Sequence, residues 1–271
     1  MASRSTGRGS RPCAPDGMCT AVLLRRPDHV WPVLFAANRD EMTDRPWAPP
    51  ARHWPDRPDV VAGLDRLAGG TWLGLNDDGV LAAILNRTGS LGPQSNKRSR
   101  GELVLEALDH AEASTAAWAL ADLDPDAYRS FNLIVADVDA AFWLRNTGNA
   151  AGIEVMPLPT GLSVLTAHDR NDPACARTRR YLPRFEAAAE PTPEADDWRT
   201  WRDILADPSF DAADGPTAAM SITTDWGFGT TSSSLIALPA RPTSLMSEPQ
   251  MPRWLFAGGR PDHTDYLPVA L

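Results

Sequence analysis

Lysine is almost missing from this chain: of 271 residues only Lys97 carries an ammonium, so its positive charge is otherwise arginine. Cysteine is scarce too. Cys13, Cys19 and Cys175 are too few and too irregularly spaced for a disulfide framework, and no CxxC pair points to zinc. Five histidines (His29, His53, His110, His168, His263) show neither HxH nor HExxH spacing, which argues against a structural or catalytic metal. There is no GxSxG elbow, no Walker loop and no GxGxxG; Gly69-Gly70 followed by Gly74 has a different spacing. No apolar run approaches the roughly 20 residues of a membrane span. With 35 acidic against 26 basic side chains the net charge is −9, the wrong sign for a protein that coats nucleic acid. A reducing cytoplasmic location is the expectation.

What is present is an ordinary globular balance, 43% apolar and 23% charged. Residues 1–17 contain no apolar segment and read as a disordered tail or a misassigned start, and 18–271 reads as a single domain. Met18-Cys19 directly precedes a strand-like run and is where the functional chain is expected to begin.

Short apolar strands are expected at 20–25 and 33–38, and a long loop rich in Pro and Trp over 39–58. Residues 71–76 and 80–86 read as a hairpin turning at Asp77-Asp78-Gly79. Ser99 and Glu102 have the spacing of a capping box opening one helix from Gly101 to about Leu123. Further strands are expected at 131–137, 141–145, 153–158 and 162–166, with Asp137 and Asp139 as solvated turn residues. Helices follow at 174–189 and 195–206, then strands near 219–223 and 233–238 and an irregular arm containing Trp254. Antiparallel-looking strand runs with helices in blocks indicate an α+β layered domain.

The chemistry centres on Cys19. A thiol of pKa about 8.5 is only a few per cent thiolate at neutral pH and needs a base. If Cys19 became the first residue, its own α-amine, of pKa about 8, would serve without any histidine. Asp40, at the end of the second strand, is placed to orient that amine, and Asn86, at another strand end, to donate to an oxyanion. The same residues also fit plainer roles: an inert core cysteine, a polar loop entry at Asn38-Arg39-Asp40-Glu41, and a strand-ending Asn86. The basic cluster Lys97-Arg98-Ser99-Arg100 is too short for a nucleic-acid patch. It fits a solvated helix start or a loop that holds an anionic ligand.

Met18-Cys19, Asn38-Arg39-Asp40-Glu41, Gly69-Gly70-Thr71-Trp72-Leu73-Gly74 and Ser99-Arg100-Gly101-Glu102-Leu103-Val104 together resemble the NRDE family, relatives of the transport-and-Golgi-organisation proteins. Phe131-Asn132-Leu133 and residues 229–235 extend the likeness to about residue 240. That family is in turn similar to the N-terminal nucleophile hydrolases, whose cysteine branch includes bile-salt hydrolases and penicillin V acylases. The resemblance implies a four-layer αββα sandwich with Cys19 as nucleophile, Asp40 orienting its amine and Asn86 on the oxyanion strand. Asn38, Arg39, Glu41, Trp72, Arg100 and His168 are the candidates for ligand binding. Two departures stand out. Leu165-Thr166-Ala167-His168 has alanine where relatives carry an asparagine, leaving His168 as a stand-in, and Gly229-Thr230-Thr231-Ser232 lacks the late arginine.

Two functions follow from the resemblance. One is a cysteine hydrolase of a linear acyl-amide bond, active once Cys19 is exposed. The other is a non-catalytic carrier for a hydrophobic anionic ligand such as haem or acyl-coenzyme A, in haem or lipid homeostasis. Either way the expected partner is a small molecule, with no nucleic acid, no membrane span, no metal and no cofactor.

Overall fold

A strand whose successive side chains are all apolar must be covered on both faces, because alternate residues point to opposite sides. Ala21–Leu24 and Leu81–Leu85 are runs of this kind, and the computed structural model, which describes residues 19–149, 152–241 and 250–271, packs both faces of the strands that hold them. The 1–17 tail and Met18 lie outside the described residues. In chain order the strands are β1 (Thr20–Arg25), β2 (Val33–Met42), β3 (Trp47–Ala51), β4 (Val60–Asp65), β5 (Leu73–Asn76), β6 (Leu81–Asn86), β7 (Phe131–Ala136), β8 (Ala141–Asn146), β9 (Glu154–Pro157), β10 (Gly161–Leu165), β11 (Phe228–Leu238), β12 (Arg253–Ala257) and β13 (Leu267–Pro268). The helices are α1 (Gly101–Leu108), α2 (Ala113–Ala121), α3 (Ala176–Ala187) and α4 (Arg199–Leu205).

Six strands form one antiparallel sheet in the order β10-β1-β2-β11-β12-β13, and seven form a second, β3 through β9 in sequence order. Ala21, Leu23, Val33 and Phe35 of the first sheet share a core with Leu73, Leu81, Leu85 and Ile134 of the second. The alternate residues Val22, Leu24, Leu34 and Ala36 pack instead with Tyr181, Phe185, Trp201 and Leu205 from α3 and α4. On the far side Ala82, Leu133 and Val135 pack with Leu103, Val104, Ala116 and Leu120 from α1 and α2. The layers therefore run helix, sheet, sheet, helix.

Several elements differ from their sequence-based expectation. The expected loop over 39–58 is largely strand: β2 continues to Met42, and β3 follows as the edge of the second sheet, its register shifting between Ala48 and Ala51. Pro49 and Pro50 are tolerated there because an edge strand with a bulge does not need every amide. β4 and β12 were likewise not expected, and residues 219–223 form no strand beyond a single bridge from Thr223 to Gly229. The long helix after residue 101 is two helices. Asn76 donates its side-chain amide to the carbonyls of Leu108 at 2.9 Å and His110 at 2.8 Å, satisfying the end of α1. Asp137 accepts the Ala113 amide at 2.8 Å and so starts α2; it is buried, not a solvated turn residue. No capping box forms: Arg100 is the N-cap of α1, the Ser99 hydroxyl accepts the Gly101 amide at 3.3 Å and its carbonyl the Glu102 amide at 3.2 Å, and the Glu102 side chain pairs with Arg98.

One close crossing matters for the site. At Gly70 a side chain would stand 2.7 Å from the carbonyl carbon of Gly101, and at Gly101 it would stand 2.9 Å from the Thr71 nitrogen. Only paired glycines let the start of α1 lie against the entry to β5, which carries Arg100 to the rim of the cleft described below. Gly70→Ala or Gly101→Ala is expected to lower stability by about 1–3 kcal/mol through overpacking, read as the midpoint of urea unfolding. An unchanged midpoint in both variants would remove the crossing as a constraint.

Candidate active site

β2 carries four polar residues in a row, and strand alternation sends them to opposite sides. Asn38 turns to the helix layer, donating its amide to the carbonyls of Leu205 and Met220, both at 2.9 Å. Asp40 also sits among buried groups away from water: its carboxylate accepts from Arg177 Nη1 at 2.8 Å and from Thr230 Oγ1 at 2.6 Å, and neither the Asp40 nor the Arg177 side chain has any exposed surface. Arg177 further donates to Thr20 Oγ1 at 2.6 Å and to the Thr217 carbonyl at 2.8 Å. Burial pushes the Asp40 carboxyl up from the usual carboxylate range, and the Arg177 guanidinium and Thr230 hydroxyl oppose that push.

Arg39 and Glu41 take the other side. The Arg39 guanidinium lies 4.3 Å over the Trp72 ring, donates to Thr231 Oγ1 at 3.0 Å, and approaches Glu41 at 3.8 Å. Trp72 is held edge-on by Trp47 at 6.0 Å and lies flat enough on Gly63 that any side chain at 63 would meet its ring at 2.5 Å.

Cys19 is half-buried between these two sets. Its thiol donates to the Asp40 carbonyl at 3.5 Å, and its sulfur accepts the Asp40 amide at 3.3 Å. Burial, then the nearby Asp40 carboxylate, push the thiol up to about 12, outweighing the favourable field of Arg39. A thiol in that state is not a nucleophile at neutral pH.

Cys19 opens onto a cleft of about 840 Å³ that also holds Arg39, Glu41, Trp72, Asn86 and Arg100, so six of the nine expected site residues line one cavity with Asp40, which makes seven. Among the described residues no histidine lines it. A smaller, mostly apolar recess of about 20 Å³ continues beside Cys19 between the sheets, walled by Ala21, Ala37, Leu73 and Ala83. His168, expected as a stand-in donor, does not line the cleft; its ring faces Asp172 at 3.6 Å, and Asn132 fixes the neighbouring backbone by donating to the carbonyls of Thr166 and His168. Asn38 is likewise corrected from a ligand-binding to a helix-anchoring role, since both amide protons are engaged. Sequence reasoning did not find Arg177, Thr20 or Thr230. An arginine 137 residues from its carboxylate has no local signature, although its place on a helix otherwise packed against a sheet marks it as a buried charge needing a partner.

The family model described as Transport and Golgi organisation 2 matches residues 18–250. The chain belongs to that family. Its Transport and Golgi organization protein 2 homologs from Bos taurus and Homo sapiens are each 36% identical over 141 residues, 48% of this chain and 50% of theirs. The chain thus spans about half the length of the curated relatives it matches. Among solved structures, this family member is similar to a Caenorhabditis elegans ortholog of N-acylethanolamine-hydrolyzing acid amidase, with TM-score 0.52, 14% identity, and coverage of 80% of this chain and 92% of that one. It is also similar to a variant of the conjugated bile acid hydrolase from Clostridium perfringens, with TM-score 0.51, 12% identity, and coverage of 93% and 97%. At these identities the likeness establishes the fold alone, the N-terminal nucleophile hydrolase sandwich. No helix among the described residues is long and apolar enough to cross a membrane.

Arg177→Met is expected to destabilise the protein by about 3–5 kcal/mol, because it strands the Asp40 charge in the interior. Adding Asp40→Asn should recover a large part of that loss. A double-mutant cycle by chemical denaturation checks this; simple additivity of the two changes would dissolve the coupling.

Proposed function

We propose that this protein is a cysteine hydrolase of a linear acyl-amide bond, competent once Cys19 is the first residue of the chain. The observation that carries the reading is the setting of the thiol: it lies in an open cleft, fixed by both backbone groups of Asp40, with no histidine among the described residues of the lining to serve as base. A free α-amine on Cys19 is then the base with a pKa matched to neutral pH, since Asp40 is held by Arg177 and Glu41 lies between Arg39 and Arg45. The thiol proton passes to the amine as sulfur attacks the amide carbon. Collapse of the tetrahedral intermediate gives a thioester and expels the substrate amine, which takes the proton; water, deprotonated by the same α-amine, then releases the acid and restores the thiol. Asp40, held by Arg177 and Thr230, accepts from the α-ammonium. The Asn86 amide, at the end of β6 and on the wall of the same cleft, donates to the oxyanion.

A second reading is favoured by the thiol's displacement to about 12, which leaves it inert in a chain that keeps residue 18. In that state the cleft, with Trp72, Ile84 and Leu91 in its wall, serves as a carrier site for a hydrophobic anionic ligand such as haem or acyl-coenzyme A. Quenching of tryptophan fluorescence by either compound supports this; no quenching at saturating ligand removes it.

The two readings separate on thiol chemistry. Iodoacetamide modification of Cys19, followed by peptide mass, is expected to climb only toward pH 12 in the chain that retains residue 18. In protein whose first residue is Cys19 the midpoint should fall to about 8, near the α-amine range. Equal profiles would sink the hydrolase reading. In the processed protein, Cys19→Ser is expected to reduce turnover of a susceptible acyl-amide by about 10³-fold or more, and undiminished turnover would be decisive against it.

A further inference from the structure

The charges around the cleft do not balance. Arg39, Arg45, Lys97, Arg98, Arg100 and Arg129 line it, against the carboxylates of Asp40, Glu41 and Asp65. Some of the six are neutralised locally. Arg45 binds Asp65 at 2.7 Å and lies 3.6 Å from Glu41, which also faces Arg39 at 3.8 Å. Arg98 is paired with Glu102 and Glu106 from α1, and Asp40 is already committed to Arg177.

Arg100 and Arg129 are different. Arg100 donates to Ser90 Oγ at 2.8 Å and to the Ser130 carbonyl at 2.9 Å. Arg129 donates to the carbonyls of Leu91 at 2.7 Å, Gly92 at 3.0 Å and Gly89 at 2.7 Å. Every one of these acceptors is neutral. Among the described residues neither guanidinium has a carboxylate in ion-pairing range, and the two are close enough to repel. Burial first, and then the charge of Arg129, hold Arg100 down at about 10. Two adjacent, partly desolvated cations with no carboxylate in direct contact, and only the more distant field of Glu41 on Arg100, are an unfavourable arrangement that a bound anion relieves. The hydrogen bonds to Ser90 and to the 89–92 turn fix both side chains in place, so no ordering is needed when the anion arrives.

We infer that Arg100 and Arg129 form a subsite for an anionic oxygen group, a carboxylate or a phosphate, at one end of the small molecule whose reacting or carried portion lies beside Cys19 and Trp72. This rests on the cleft being the ligand site, and holds whether Cys19 cleaves the bound molecule or not. For the hydrolase reading it names the substrate class: an acyl-amide that ends in a negative charge.

The test is calorimetric binding to the full chain of three ligands with the same tail: N-dodecanoylglycine, dodecyl phosphate and the neutral dodecanamide. At low salt at least one charged ligand is expected to bind about tenfold tighter than the amide, with the advantage weakening as salt rises. Which charged ligand gains identifies the group. Arg100→Gln should erase most of that advantage while leaving dodecanamide unchanged. Arg100→Lys, which keeps the charge without the fork, should retain part of it and also guards against a folding defect in the first variant. Arg52→Gln, which removes an exposed arginine paired with Asp77, should change neither affinity. If dodecanamide binds as well as both charged ligands, the subsite is wrong and the cleft still stands as the ligand site. If none of the three binds, the cleft reading fails and the subsite with it. Equal losses in Arg52→Gln and Arg100→Gln would reduce the effect to long-range charge and overturn the proposal.

Discussion

The buried ion pair between Asp40 and Arg177 is the constraint on which the site depends. An isolated charge in the interior is costly enough that each of these groups requires the other. Arg177 belongs to α3 and Asp40 to β2, so their pairing fixes a helix of the outer layer to the strand that brackets Cys19. The same guanidinium reaches Thr20, the residue after Cys19, and the same carboxylate reaches Thr230 on β11. Three strands and a helix therefore meet at one salt bridge, directly behind the thiol. Replacing it by an apolar pair would be the simpler route to a stable core; what it supplies in addition is a carboxylate of fixed position next to the start of β1.

The four residues Asn38, Arg39, Asp40 and Glu41 make sense as a period-two object. Asn38 and Asp40 serve the layer behind the sheet, where they bind Leu205, Met220 and Arg177. Arg39 and Glu41 serve the cleft, where they meet Trp72, Thr231 and Arg45. A run of polar residues in a strand is thus half scaffold and half site. Grouping Asn38 with Arg39 and Glu41 as ligand-binding, as the sequence invites, overstates Asn38 for a reason visible only once the faces are assigned.

How far the sequence could be read follows the range of the forces involved. β1 with the first half of β2, whose continuation carries Asp40, and the β5–β6 hairpin, which carries Asn86, rest on local alternation and turn chemistry and are legible. β3 and β12 were not, since prolines and tryptophans mask a strand whose edge position or partner excuses them. The split between α1 and α2 depends on Asn76 and Asp137, side chains from other strands that close one helix and open the next. No local pattern announces such caps. Arg177 was hidden for the same reason, because its role exists only through a carboxylate in a distant segment. The late segment reads Gly229-Thr230-Thr231-Ser232, and its lack of arginine looked like a loss. Thr230 and Thr231 instead bind Asp40 and Arg39 themselves, which keeps both β2 side chains in position without a further cation.

Net charge hides the field at the site. A chain with formal charge −9 nonetheless gathers six cations around one cleft, because what a ligand feels is the nearby arrangement and not the sum. That positive field does little for the thiol. Arg39 is one cation whose charge favours the Cys19 thiolate, yet it is already shared among Glu41, Thr231 and the Trp72 ring, and burial with Asp40 outweighs it. The cleft is therefore arranged to attract an anion and not to create one on sulfur. Attraction is a property of the folded chain as it stands, while in the proposed hydrolase nucleophilicity rests on one covalent feature, a free amine on residue 19. Binding and the proposed chemistry therefore have separate origins in this cleft: the first rests on its arginines, the second on the nitrogen of residue 19.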